Sequence, residues 1–245
     1  MSINCSVELL RARTEALNDS DLAAGLNSLS RAYHRLMRQS GNASFVQAYS
    51  RGAALFQPLA LDLGLLCASC VEAGRHHFPD VTWQFERAGR MTALADPALF
   101  KQLLFNLLSN CLLHAAGLRR IRVDLREHQG QIFLAVSDDG CGIPQEQLSR
   151  VFDRYRHGFT LSQMAEGAGF GLSVARGVAQ LHGGALLLES RPEQGTTVHV
   201  SFRSAGADSV PLRSPEGGPV CTSRDVQIGL ADCLPDESFS ERYAD

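Results

Sequence analysis

The chain has 245 residues, 23 of them basic and 26 acidic, for a formal net charge of −3. That balance excludes the strongly basic surface on which nucleic-acid binders depend, and nothing in it favours attraction to a membrane surface. A length of this order suits one substantial domain with a real hydrophobic core and at most a small appendage.

The opening MSINCSVELLRARTEALNDS has no basic run followed by an apolar one, so no secretory leader is expected and the predicted location is cytoplasmic. In SDLAAGLNSLSRAYHRLMRQ, the residues Leu22, Leu26, Leu29, Tyr33 and Leu36 recur at helical spacing, with Ser20 or Asp21 as cap. Residues 1–60 therefore read as a helical segment suited to pack on itself or on a second copy. QSGNAS is expected to interrupt it, and a helical pattern resumes from Val46.

The most apolar window, Ala53 to Val71, contains Gln57, Pro58 and Asp62, which a membrane span tolerates poorly, so a buried helix is predicted there. Seven cysteines without a leader read as free thiols rather than a disulfide framework. Cys67 and Cys70 form a CxxC, with His76 and His77 close behind. No second CxxC follows, and the surrounding LDLGLLCASCV is apolar, so the pair reads as core thiols rather than a zinc site.

VTWQFE alternates as a strand. DPALFKQLLFNLLSNCLLHAA opens with Asp96 as cap and Pro97 at the first helical position, then repeats apolar residues every three or four. IRVDLRE and IFLAVSD follow as two strands joined around HQGQ. PQEQLSRVF reads as a short helix and GFTLSQMAEGAGFG as a flexible loop. The helix GLSVARGVAQLH ends at Gly183 and Gly184, in the position of a C-cap. ALLLES and TTVHVSF form a hairpin turned by RPEQG. Beyond Phe202 the composition loses its large apolar residues, and residues 205–245 are expected to be a largely disordered tail.

Three polar or glycine-rich stretches fall at the ends of these elements. Asn106 and Asn110, four apart, share one helix face. Asp138 and Asp139 precede Gly140 and Gly142 at a strand end. Gly167, Gly169 and Gly171 lead into a helix. Singly, each has a plain structural explanation, since a lone GxGxG is weak evidence.

In this order and spacing, LLFNLLSNCLLHA, DDGCGIP, VFDRY, GAGFGLSVARGVAQLHGG and GTTVHVSF resemble the ATP-binding domain of two-component sensor histidine kinases. The resemblance spans about Leu61 to Phe202. It implies an α+β fold for residues 61–204: a two-layer sandwich of a mixed sheet covered by helices on one face, preceded by the helical segment. It also implies ATP and Mg2+ as cofactors, a response regulator or other signalling protein as partner, and a homodimer.

Residue by residue, the resemblance implies that Asp138 accepts a hydrogen bond from the adenine amino group, with Gly140 and Gly142 leaving room for the purine. Asn110 matches the magnesium ligand, and Asn106 is expected to position phosphate or its water. His114, Ile143, Tyr155, Gly167, Gly169, Phe170, Gly171, Leu172 and Thr197 complete the expected ATP site, while Asp139 is expected to be a solvated turn residue. In the gyrase, heat-shock chaperone and anti-sigma-factor kinase relatives a glutamate stands at the position of Asn106. An amide is no general base, so transfer to a histidine nitrogen is favoured over hydrolysis.

Two positions depart from the pattern. Leu113 stands where the family usually has a basic residue reaching the phosphates, with His114, Arg154 and Arg156 as candidate substitutes. None of the eight histidines is followed by Asp or Glu, the acceptor signature. His34 is the candidate phosphoacceptor because it alone lies in the N-terminal helical segment; the alternative is a solvated helix histidine. The missing signature keeps open a second function, a nucleotide-gated adaptor that regulates a signalling partner without transferring phosphate.

Overall fold

A computed structural model describes Leu10 and residues 20–88, 91–148, 170–204 and 220–240. Helix α1 runs unbroken over Ser20–Ser50, so QSGNAS does not interrupt it. Gly41 and Asn42 are poor helix formers, at a cost of roughly 1 kcal/mol for the glycine. The Asn42 side chain bonds to another helix and Phe45 is buried, and these tertiary contacts outweigh the local preference.

The apolar window that follows divides. Leu59–Asp62 is strand β1, antiparallel to Thr92–Ala95 (β3), and only from Leu63 to His77 is the chain helical, as α2. Asp62 caps α2 by accepting the amides of Gly64 and Leu65 at 2.9 and 3.2 Å. Cys67 and Cys70 are fully enclosed in the core, in keeping with core thiols.

Thr82–Arg87 (β2), Arg120–His128 (β4), Gln131–Asp138 (β5), Leu186–Arg191 (β6) and Gly195–Arg203 (β7) build a sheet of order β2-β4-β5-β7-β6. Only β2 and β4 are parallel. β4 and β5 turn at Gln129 and Gly130, with φ of 51° and 73°, the paired left-handed residues of a two-residue I′ hairpin. Alternation puts Ile121, Val123, Leu125, Leu134, Val136, Val200 and Phe202 on the inner face, while Phe133 and Leu187 point outward to solvent.

Against the inner face lie α2, Pro97–His114 (α3) and Phe170–Leu181 (α4). α3 begins where Asp96 accepts the amides of Ala98 and Leu99 and Pro97 fills the first turn. Its Phe100, Leu103, Leu104, Leu107 and Leu108 are enclosed, each such side chain worth about 1.5–3 kcal/mol of transfer free energy. The expected two-layer α+β arrangement is present. Among the described residues no helix is long and apolar enough to cross a membrane.

Residues 220–240 are not a disordered tail. Ser223–Gly229 forms helix α5, capped by a Thr222–Asp225 capping box, and Asp236–Phe239 forms a 3-10 turn. Val226, Leu230, Ala231, Leu234 and Phe239 are buried. These few apolar residues sit among polar ones, so composition alone conceals that they meet a ready-made surface on α1 and α3.

His182 joins α4 to the start of α3. Its Nδ1 donates to the Val178 carbonyl at 2.7 Å and its Nε2 accepts the Asp96 amide at 3.0 Å. Burial lowers its pKa below the ordinary 6.5, and burial lowers that of His34 likewise. Below the unfolded-state value the unfolded chain binds protons that the folded rings resist. This stabilisation is therefore complete above about pH 6.5 and declines as pH falls toward the depressed folded values. The thermal unfolding midpoint is expected to drop between about pH 7 and about pH 5, with a shallower drop in His182→Gln. A flat profile in the parent protein would contradict it.

Candidate functional site

Between α3, the β5 end and the first turn of α4 lies a cavity of about 600 Å³. β5 delivers Asp138 to its wall, where the carboxylate is half-buried. Its Oδ1 accepts the amides of Gly140 at 3.0 Å and Thr196 at 3.3 Å, bonds in which Oδ2 takes no part. Burial raises the Asp138 pKa, against the lowering effect of those amides and of the neighbouring Cys111 thiol. Burial, with Asp138 beside it, pushes the Cys111 thiol up, so it stays protonated.

The loop after Asp138 is fastened to the β6–β7 hairpin. Ile143 donates its amide to Ser190 Oγ at 2.8 Å, Ser190 donates to the Gly195 carbonyl at 3.0 Å, and the Glu193 amide reaches the Cys141 carbonyl at 2.8 Å. Gly142 has φ +66°, and a Cβ there would stand 2.0 Å from the Arg191 carbonyl oxygen; one at Gly140 would meet Ala115 at 2.4 Å. Protein packing alone therefore requires glycine at both positions. Asp139 is no solvated bystander either. Its Oδ1 accepts the amides of Arg119 and Arg120 at 2.9 and 2.8 Å, tying the loop to the start of β4. Burial works to raise its pKa, but these bonds and the Arg120 charge hold it below the ordinary value.

Seven of the residues expected from sequence line this cavity: Asn110, His114, Asp138, Gly142, Ile143, Gly171 and Leu172. Gly140, Phe170 and Thr197 do not. The Thr197 hydroxyl instead donates to Ser137 Oγ at 2.9 Å, and Thr196, one residue earlier, faces the cavity. Tyr155, Gly167 and Gly169, with Arg154 and Arg156, lie outside the described residues. Leu113 is exposed and takes no part in the wall.

Asn106 shows the largest departure from expectation. It is 1% exposed and does not line the cavity. Its Oδ1 accepts from Asn42 Nδ2 at 3.1 Å and Arg38 Nη2 at 3.2 Å, and its Nδ2 donates to Asn42 Oδ1 at 3.2 Å. Helix α1 thus supplies two donors to the Asn106 oxygen and takes one of its two N–H donors. The two asparagines nevertheless share a side of α3: a methyl group at Gly171 would lie 3.4 Å from Asn110 Oδ1 and 3.6 Å from Asn106 Oδ1.

Leu107, Cys111, Val136, Leu188, Thr196 and Val198 also line the cavity and were not singled out from the sequence. Two periodicities carry the signal. Residues 107, 110, 111 and 114 fall on one helical face, while 136 and 138, like 196 and 198, alternate onto one sheet face.

His34 is not a solvated helix histidine. It is 2% exposed, its Nδ1 bonds the Ser30 carbonyl at 2.7 Å, and its ring packs 5.4 Å from that of Phe239.

Residues 95–206, which carry α3, the cavity strands and α4, match the model of the histidine kinase-, DNA gyrase B- and HSP90-like ATPase family. The chain is 38% identical over 112 residues to the histidine protein kinase DivJ of Caulobacter vibrioides, covering 46% of this chain and 19% of that protein. It is 32% identical over 159 residues to the signal transduction histidine-protein kinase AfsQ2 of Streptomyces coelicolor, covering 65% of this chain and 28% of the relative. The chain thus spans less than a third of either relative. In fold, it resembles the Acinetobacter baumannii histidine kinase AdeS, with a TM-score of 0.58, 14% identity, and coverage of 82% of this chain and 95% of that one.

Proposed function

We propose that the chain binds ATP with Mg2+ in the cavity and transfers the γ-phosphate to a histidine, acting as a histidine kinase in a two-component relay. The observation that carries this reading is the half-buried Asp138 carboxylate, held by two amides through one oxygen at the wall of a largely apolar cavity. Such an acceptor suits an exocyclic amino group and gives base specificity, because a ligand without that donor leaves the carboxylate unpaired.

At the other end, Asn110 offers a neutral oxygen, the donor type that suits a hard cation already partly neutralised by a triphosphate. Asn110 would hold the ion, which supplies charge neutralisation when bound. The first turn of α4, beside Asn110, directs backbone amides and the positive end of the helix dipole toward the same place. Phosphoryl transfer depends mainly on positioning and charge stabilisation, so the scarcity of acid–base groups is no obstacle.

His34 is the proposed acceptor. A carbonyl only accepts, so the bond to Ser30 places the proton on Nδ1 and the lone pair on Nε2, and burial keeps the ring neutral. Nε2 would form the new N–P bond as the bond to ADP breaks, and the Nδ1 proton would then be released. A response regulator would accept the phosphate next, and the active unit would be a homodimer.

A second reading, the nucleotide-gated adaptor, is favoured by the engaged Asn106 and the covered His34. One experiment separates the two: purified protein with γ-labelled ATP and magnesium, an acid-stability test of any label, and His34→Gln in parallel. Acid-labile, base-stable label that vanishes in the variant is the expected result. Nucleotide binding without label would favour the adaptor.

A further inference from the structure

The stripe of α1 that carries Ser30, His34, Arg38 and Asn42 at four-residue spacing faces the body of the protein. Its lower half meets α3 through the Asn42–Asn106 amide pair, with Gln102 Nε2 also donating to Asn42 Oδ1 at 2.9 Å. Its upper half meets residues 220–240. Phe239 covers the His34 ring. Arg31 pairs with Asp236 at 2.9 Å, and Asp232 bridges Arg35 and Arg38 at 2.8 and 2.5 Å. The segment is anchored in turn to α3 by Lys101 and Asp225 at 2.6 Å.

The charges are complementary. Residues 220–240 carry Asp225, Asp232, Asp236 and Glu237 against Arg224, while the α1 face offers three arginines flanking the histidine. Arg38 is shared: one nitrogen goes to Asp232 and another to Asn106 Oδ1. Holding Arg38 therefore adds a second donor to the Asn106 oxygen that Asn42 already engages.

We propose that residues 220–240 are an intramolecular clasp, which holds the upper half of α1 against the body of the protein with His34 covered, and whose displacement uncovers His34. The significance of freeing His34 rests on the proposed histidine-kinase reading; the clasp itself rests on the contacts above. A segment of one short helix and one 3-10 turn is small enough to leave as a unit. Its outer ion pairs are partly exposed, each worth about 0–1 kcal/mol, so a competing acidic surface on a partner could take the arginines.

The test is the carbethoxylation rate of each histidine in the full chain with diethyl pyrocarbonate, read by mass spectrometry with exposed His128 as internal reference. The parent protein, Asp232→Lys/Asp236→Lys, and Phe239→Ala are compared, with ATP titrations on all three. His34 is expected to react at least about tenfold more slowly than His128 in the parent, and to gain about fivefold or more in each variant, with ATP affinity retained. Equal rates for His34 and His128 in the parent, or no gain in either variant, would overturn the clasp. A variant that exposes His34 and still takes no phosphate from ATP would leave the clasp standing and remove His34 as acceptor.

Discussion

Replacing Asp138 with asparagine is expected to abolish ATP binding at ordinary concentrations while leaving the protein folded. The substitution is nearly isosteric, and its oxygen can still accept the Gly140 and Thr196 amides, which both converge on Oδ1. That requirement fixes the amide's orientation. Its NH2 group must then occupy the position of Oδ2, where it would point a donor at the adenine amino group, itself a donor. Loss of a charged acceptor together with a donor–donor conflict costs about 3 kcal/mol or more, upwards of a hundredfold in affinity. Relieving a buried carboxylate whose pKa is already raised offsets any structural cost, so the melting temperature should hardly move. Guanine carries an acceptor where adenine carries its amino group, so the variant's preference should shift toward GTP. Calorimetric titration with both nucleotides measures this directly, and unchanged ATP affinity would remove Asp138 from the site.

The parts of this site legible from sequence are those with local causes. The Asp96–Pro97 start of α3, the strands around Gln129–Gly130, and the position of Asp138 at a strand end all follow from neighbours in the chain. β1 was not legible because its partner, β3, lies some thirty residues on and neither four-residue strand has a pattern of its own. α5 was missed for a similar reason. Val226, Leu230 and Leu234 form an apolar stripe too short to register until the surface of α1 and α3 is present to receive it. Asn106 was assigned to phosphate because its spacing from Asn110 is correct. Only tertiary structure shows that Asn42, more than sixty residues earlier, competes for the same oxygen. Gly140 and Gly142 were read as leaving room for a purine, whereas the atoms that a Cβ would meet there belong to Ala115 and Arg191, and no local pattern could name them.

That last distinction yields a quantitative expectation. Gly142→Ala should destabilise the fold and the cavity together, whereas Gly183→Ala should do neither to any comparable extent. Both glycines are left-handed, with φ of +66° and +71°, so both substitutions incur the strain of about 1–2 kcal/mol that a Cβ brings there. They differ in what the Cβ meets. At Gly183 there is nothing within 4 Å, while at Gly142 the Arg191 carbonyl oxygen lies 2.0 Å away, a backbone atom that can yield only if the loop and the β6–β7 hairpin separate. Separation would break the Ile143–Ser190 and Glu193–Cys141 bonds, for a total of roughly 3–4 kcal/mol at Gly142 against about 1 at Gly183. Because the same hairpin supplies the Thr196 amide that orients Asp138, the Gly142 variant should also bind ATP at least about tenfold more weakly at temperatures where it remains folded. Urea unfolding gives the first quantity and nucleotide titration the second. Equal destabilisation of the two variants would mean that backbone strain, not the contact with Arg191, is what keeps glycine at position 142.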